Sequence, residues 1–245
     1  AFNKDSQAQF QVGQHFIASY QERDIGRALE WLKKSAAGGN ANAQDAICRL
    51  YYYAPEYMDE MPSDPDTTQW FKRQAENGSF WAQNVLGEIN YSGLGVPKNM
   101  EVGTQWYIAA ANGGDAYGMV NVGNRLSGNE SPNYAAAVDW YKKAAVQGNA
   151  IAQCSLGMMY DAGLGVTKNE VEAAKWYRKA ADQGDPEAQF FLAGMYATGR
   201  GVPLDQSTAA QRYRNSADQG YADAQFILAG MYANGRGVDK SESMA

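Results

Sequence analysis

A tryptophan recurs along this chain at Trp31, Trp70, Trp106, Trp140 and Trp176, with Arg212 in the sixth place, at steps of 39, 36, 34, 36 and 36 residues. A second mark keeps the same period. Ala-Gln stands at Ala8-Gln9, Ala43-Gln44, Ala82-Gln83, Ala152-Gln153, Ala188-Gln189 and Ala224-Gln225, with Gly118-Met119 in the remaining register. A period of this length belongs to arrays of one supersecondary unit.

The unit is clearest from Ala152 to Gln189. Ala152, Leu156, Met159 and Tyr160 fall at i, i+4, i+7 and i+8, and Ala173, Trp176, Tyr177, Ala180 and Ala181 repeat the pattern, so each half predicts an amphipathic helix. Between them Gly163 is placed to end the first helix in the left-handed conformation, and Asn169 to cap the second. Gly184 is expected to end the second helix, Asp185 to cap the next, and Pro186 to occupy its first turn, where a missing N–H costs nothing. One helix hairpin cannot bury its own apolar face, so each copy covers its neighbour and stability becomes a sum of nearest-neighbour terms. A chain of 245 residues has room for one or two domains. The unbroken repeats predict a single array over 1–245, with repeats near 7–42, 43–81, 82–117, 118–151, 152–187 and 188–223 and a partial 224–245.

Three motifs carry a resemblance: L-G-x-x-Y at Leu156 to Tyr160; G-x-G-V at Gly93 to Val96, Gly163 to Val166, Gly199 to Val202 and Gly235 to Val238; and W-Y-x-x-A-A at Trp140 to Ala145 and Trp176 to Ala181. Over nearly its whole length the chain resembles the Sel1-like repeat proteins, relatives of the tetratricopeptide repeats. The latter have a fixed period of about 34 residues, so the Gly-Val loop and the longer step decide against them. The resemblance implies an all-α fold, a right-handed α/α superhelix (solenoid) of stacked antiparallel helix pairs.

Individual repeats depart from the pattern. In the first, helices are expected at Ala8 to Tyr20 and Ile25 to Ala37, joined by Gln21-Glu22-Arg23-Asp24. His15, the only histidine, has no sequence neighbour suited to metal ligation or base catalysis and reads as a helix-face residue. The second repeat replaces the Gly-Val loop by Tyr51 to Pro65, where three prolines forbid a continuous helix; Asp66 and Gln69 then form a capping box. That loop holds four tyrosines, two methionines and four carboxylates and no basic residue. It reads either as a binding surface or as a solvated connection with Tyr51 and one further tyrosine filling the core. The third repeat has Asn90 where the fifth has Tyr160, and the fourth has a shorter, polar connection from Leu126 to Asn133. At the other end an unpaired last helix would expose Phe226, Leu228 and Met231, which suggests a chain longer than this one. The start at Ala1 likewise hints at a removed leader.

Reaction chemistry finds no support. G-x-G-x-x-G would require glycine at Lys98, Lys168 and Leu204 and a strand-to-helix setting. Walker, H-E-x-x-H, G-x-S-x-G and C-x-x-C patterns are absent from the sequence. Cys48 and Cys154 stand three repeats apart, beyond the ~4.4–6.8 Å a disulfide spans, so both are read as free thiols and the cysteine-paired branch of the family is not a close model. No cofactor or metal is expected. A net charge of −6 repels nucleic acid and anionic surfaces, and no apolar run reaches the ~18 residues a membrane span needs.

An array of this kind presents an extended surface to another protein. By the resemblance, the first helix of each repeat lines the concave side. The expected contacts are then Asp45, Arg49 and Tyr52; Asn84, Glu88 and Tyr91; Asn121, Asn124 and Arg125; and Met158 and Asp161, with Tyr53, Tyr57, Asp59 and Glu60 from the tyrosine-rich loop. The resemblance implies a non-catalytic protein-binding scaffold, most specifically a bacterial periplasmic immunity protein that neutralises a secreted phospholipase effector. The alternatives are an adaptor of a larger assembly or a secreted factor that binds host proteins and, more remotely, a hydrolase of the cysteine-rich type. A periplasmic or secreted location is expected, with the cytoplasm as the alternative.

Overall fold

The computed structural model describes residues 4–18, 22–37, 65–128 and 131–240, with 40, 42–43 and 46–47 between the second and third stretches. Twelve α-helices and no strands are found among the described residues. In chain order they are α1 (Lys4–Ala18), α2 (Glu22–Ala37), α3 (Pro65–Glu76), α4 (Phe80–Ser92), α5 (Met100–Asn112), α6 (Ala116–Ser127), α7 (Tyr134–Val146), α8 (Ala150–Ala162), α9 (Glu170–Ala181), α10 (Pro186–Thr198), α11 (Gln206–Ala217) and α12 (Ala222–Asn234). They divide into two compact units, Ala1–Gly113 and Gly114–Ala245. In the first, α1 pairs with α2 and α4 with α5, while α3 packs on α4. In the second, α6/α7, α8/α9 and α10/α11 are hairpins, α7 packs on α8, α9 on α10, and α11 on α12.

The first repeat differs from its expected bounds: α1 begins at Lys4, and α2 begins at Glu22, inside the stretch expected to be a linker. That stretch contains neither glycine nor proline, so nothing local stops the helix. Asp66, expected to cap the next helix, lies inside α3, which begins at Pro65, and Tyr221 precedes α12 without a side-chain cap bond; the caps of the fifth repeat follow the expected chemistry. Gly163 is left-handed (φ 73°) after α8, and the Asn169 side chain accepts from the Glu172 N–H at 3.0 Å. Asp185 accepts from Ala188 N–H at 2.7 Å with Pro186 in the first turn. Gly184 is left-handed too, but lies in the turn beyond α9, which ends at Ala181.

Small residues let the helices approach. A Cβ on Gly157 would lie 2.7 Å from the Tyr177 ring, and Gly87 and Gly123 face Tyr107 and Tyr141 in the same way. The sixth repeat has Ala193 in this place, packed in one cluster with Tyr213. The second glycine of the loop motif works between repeats: Gly165 is left-handed, and a methyl there would overlap the Tyr134 carbonyl at the start of α7. Gly201 and Gly237 meet the Glu170 and Gln206 carbonyls equivalently. The repeated tryptophans are only half-buried, and Lys143 and Lys179 lie over Trp140 and Trp176 at 4.1 and 4.0 Å. Arg212, which replaces the sixth, reaches Asp182 at 3.3 Å instead.

The recurrent Ala-Gln has a structural role. Gln83, Gln153, Gln189 and Gln225 each donate from Nε2 to a carbonyl eight residues earlier, in the last turns of the preceding second helix, at 3.0, 3.1, 3.3 and 3.1 Å. Each of those carbonyls lies at a helix end and also accepts the N–H of the glycine three residues on, Gly78, Gly148, Gly184 or Gly220, so the glutamine supplies a second bond. Gln153 also accepts from Gln183 at 2.7 Å, and Gln189 from Gln219 at 3.3 Å. The side chain therefore ties three elements together.

Two comparisons test these roles. Gly165→Ala combines a left-handed backbone with overlap onto another repeat's backbone and should cost about 3 kcal/mol or more. Gly184→Ala, also at positive φ but with open space around it, should cost about 1–2 kcal/mol; equal losses in urea melts would contradict the interlock. Gln153→Leu removes one of two bonds to the Ala145 carbonyl, which keeps the Gly148 N–H at 3.1 Å, together with the Gln183 bond, and should cost about 1 kcal/mol. At exposed Gln225 water replaces the lost bond, so the same change should be nearly silent.

Candidate functional site

Superposing the Ala-Gln marks places Glu88, Asn124, Met158 and Gly194 at one position of the first helices and Tyr91, Ser127, Asp161 and Ala197 at another, three residues on. All eight are half-buried. Both positions lie beside the hydroxyl end of the second-helix tyrosine. Tyr107 donates to Glu88 Oε2 at 2.6 Å, and Tyr141 donates to Asn124 Oδ1 at 2.7 Å with Ser127 Oγ at 3.2 Å. Burial pushes the Tyr141 hydroxyl pKa up, partly offset by the Ser127 bond and the Arg125 charge. Within the second unit the result is a strip of side chains standing on a buried aromatic row, polar on α6, mixed on α8 with Met158 and Asp161, and small on α10; Glu88 and Tyr91 hold the same positions on α4 within the first unit.

The expected contacts are therefore not alike. Asn84 is only 3% exposed, with its amide donating to the Phe80 carbonyl at 3.2 Å. Asn124 presents one side of an amide already held by Tyr141, whereas both Glu88 oxygens are engaged, Oε2 by Tyr107 and Oε1 by the Ser92 hydroxyl. Tyr91 lies near Lys98, 5.9 Å from ring centroid to ammonium, and packs close to Gly103 of α5. Asn121 and Arg125 are half-buried on α6. Met158 packs against the α8–α10 core, and Asp161 pairs with Arg200 of the following loop at 3.0 Å. Asp45, Arg49, Tyr52, Tyr53, Tyr57, Asp59 and Glu60 lie outside the described residues, as does Cys48; of the His15 side chain nothing is described. Cys154 is free and buried.

Sequence reasoning missed an aromatic cluster on α10. Phe191 stacks on Tyr177 at 5.3 Å, and Phe190 meets Phe191, Tyr213 and Tyr221 at 5.5, 5.6 and 5.1 Å. The adjacent Phe190-Phe191, where the fifth repeat has Cys154-Ser155, was the available signal. Beside this cluster, Glu187 Oε2 lies 3.9 Å from the Cys154 Sγ. Burial and the neighbouring Asp185 push the Glu187 carboxyl up, and burial outweighs two backbone N–H bonds to raise Asp185 as well. Burial, then the Asp185 and Glu187 charges, push the Cys154 thiol far up, which leaves it un-ionised and a poor nucleophile. Among the described residues no group of three or more His, Cys, Asp or Glu could hold a metal ion, and no helix is long and apolar enough to cross a membrane.

Comparison with known proteins agrees with this geometry. The Sel1 repeat profile matches residues 6–40, 82–115, 116–149, 150–185, 186–221 and 222–245. The stretch 41–81, where a second, proline-interrupted repeat was expected, lies between the first two matches. Among solved structures, a Sel1 repeat protein from Oxalobacter formigenes is 34% identical with a TM-score of 0.62, covering 80% of this chain and 79% of its own. A protective antigen present in uropathogenic Escherichia coli strains, with the same repeat fold, is 28% identical with a TM-score of 0.67, covering 98% of this chain and 52% of its own. A chitin synthase regulatory factor of Schizosaccharomyces pombe is 29% identical over 155 residues, 60% of this chain, and this chain spans only 16% of that curated relative's length.

The Glu187 environment has a measurable consequence. A carboxyl whose folded pKa is raised binds more protons folded than unfolded, so stability falls as pH rises from the unfolded value near 4 through the folded one. Glu187→Gln, which keeps an acceptor for Cys154, should raise the thermal midpoint at pH 7. That advantage should shrink as pH is lowered toward 4; a constant difference would contradict the assignment.

Proposed function

The chain belongs to the Sel1 repeat family, and from that premise we propose that it is a non-catalytic scaffold that binds a protein partner through the first-helix strip of α6, α8 and α10. The observation that carries this reading is the strip itself: structurally equivalent positions on a fixed aromatic row vary in chemistry from Asn124 to Met158 to Gly194. Repeat proteins vary such positions while the packing beneath stays constant. The similarity to a regulatory factor supports action through binding rather than turnover.

More specifically, the partner is a secreted phospholipase effector and the chain its immunity protein, held in the periplasm or outside the cell. The acidic balance of the sequence is compatible with masking a basic partner surface. The competing reading is an adaptor within a larger assembly or a secreted factor that binds host proteins. Periplasmic extraction of the native host decides the compartment; recovery of the protein in the cytosol alone removes the immunity reading.

For the scaffold reading, the partner captured from the native host should bind the double variant Met158→Gln/Asp161→Asn at least about tenfold more weakly, the order of loss expected at an interface centre. Lys175→Ala, on the outer side of α9, should leave binding unchanged. Equal binding by all three proteins would place the interface elsewhere. For the immunity reading, the captured partner should hydrolyse phospholipid and be silenced by one equivalent of this chain; a partner without lipase activity selects the adaptor reading.

A further inference from the structure

The tyrosine hydroxyls beneath the first-helix strip are not all partnered by the chain itself. Where α6, α7 and α8 meet, the Tyr141 hydroxyl has Asn124 at 2.7 Å, Ser127 at 3.2 Å and Ser155 of α8 as a further hydrogen-bonding neighbour. None of the three belongs to α9, so the second helix that follows does not reach this point. Around Tyr213 of α11 the same three positions hold Gly194, Ala197 and Ile227. No side chain among these can accept a hydrogen bond. Tyr213 makes none among the described residues, and burial raises its hydroxyl pKa with no bond or charge to offset it.

The hydroxyl is nevertheless aimed into the strip. Tyr213 is only 6% exposed, its ring packed with Ala193, Ala210 and Met231, the last of which was expected to be exposed and is buried in the same cluster. A Cβ on Gly194 would stand 3.4 Å from the hydroxyl oxygen and meet nothing else within 4 Å. The equivalent positions on α4, α6 and α8 carry Glu88, Asn124 and Met158, so the backbone accepts a side chain there. The α10 glycine instead leaves a notch with one buried donor at its base.

The chain's own pairs show what such a hydroxyl takes. Tyr107 donates to a carboxylate oxygen, Glu88 Oε2, at 2.6 Å, and Tyr141 to an amide oxygen, Asn124 Oδ1, at 2.7 Å. A protein laid over the strip removes solvent from the notch, and a buried hydroxyl then left without an acceptor weakens binding. We infer that the partner inserts a side chain ending in a carboxylate or carboxamide oxygen over Gly194 and Ala197 and accepts the Tyr213 hydrogen bond, which makes Tyr213 a specificity-determining residue of the strip. This rests on the strip as the binding surface and adds the chemistry the partner carries there. An aliphatic side chain in the notch would strand the hydroxyl, and a lysine or arginine would use its oxygen and leave its proton unpaired.

The probe is a display library of random twelve-residue peptides, selected on the immobilised 245-residue chain and counter-selected on Gly194→Asn, which fills the notch with the side chain that α6 has at Asn124. Peptides that bind the first and not the second should share an Asp, Glu, Asn or Gln at one position. Replacing that residue by Ala, or Tyr213→Phe in the protein, should weaken their binding by about tenfold. Tyr213→Phe keeps the ring, and Gly194→Asn places a side chain where three other repeats have one, so both variants retain the fold. Enrichment of aliphatic or cationic residues alone, no enrichment, or binding indifferent to Tyr213→Phe overturns the inference. The partner from the native host separates it from the strip reading. Binding lost with Met158→Gln/Asp161→Asn but not with Tyr213→Phe removes the notch and keeps the strip; binding unchanged by either removes both.

Discussion

The architecture depends on how closely two helices of one hairpin approach. In the fifth repeat Gly157 lies against the Tyr177 ring, and Ala152, Leu156, Ala173, Ala180 and Ala181 are buried in the same hairpin. Such small residues bury little apolar surface each, so the packing gains its energy from the aromatic ring and from the neighbouring repeat. A tyrosine rather than a phenylalanine has a further effect. Its hydroxyl needs a partner when buried, and it finds one on the rim of the first helix, Glu88 for Tyr107 and Asn124 for Tyr141. Core and surface are thereby coupled, because a change of rim residue changes what the buried ring is bonded to.

That coupling separates rim positions by the freedom they have. Glu88 and Asn124 are held by tyrosine hydroxyls and present fixed acceptors, so a partner meets them without ordering them first. Asp161 is engaged from outside by Arg200, across a half-exposed pair of the kind that contributes little to stability. Exchange of that ion pair for a partner's cation would therefore cost little. Met158 offers an adaptable apolar surface. Within the second unit one strip thus combines a rigid polar part at Asn124 with an adjustable part at Met158 and Asp161, set by which residue sits over each tyrosine.

The helices, their caps and their stacking order were legible because each is signalled locally. Asn169 and Asp185 cap where their side chains fall before a helical run, and Gly163 stops a helix because only glycine takes that backbone readily. The first linker was not legible because Gln21 to Asp24 differ from the loop motif only by lacking its glycines, and the absence of a stop signal reads equally as loop or helix. The Ala-Gln mark was visible as a register, but its bond runs to a carbonyl eight residues earlier, across a turn whose geometry no spacing rule supplies. Asn84 seemed a surface position by helical phase; its burial comes from contacts that periodicity on one helix does not encode.

Asp185 and Asp205 show why site chemistry lies further from the sequence than fold does. Both are aspartates that cap a helix by accepting backbone N–H bonds, Asp185 at 2.7 Å and Asp205 at 3.0 Å. At Asp205, where burial costs the charge less than its bonds return, the backbone N–H bonds and the Thr208 hydroxyl dominate and the carboxyl pKa is lowered. At Asp185 burial beside Cys154, Glu187 and the α10 aromatics dominates and the pKa is raised. The hydrogen-bonding role belongs to the residue and its near neighbours, and a motif records it. The sign of the shift belongs to the side chains that three helices bring together, and those differ between repeats that share one backbone. A Sel1 array can therefore keep its frame constant while its local electrostatics change from one junction to the next, which is the condition a binding surface needs to become selective.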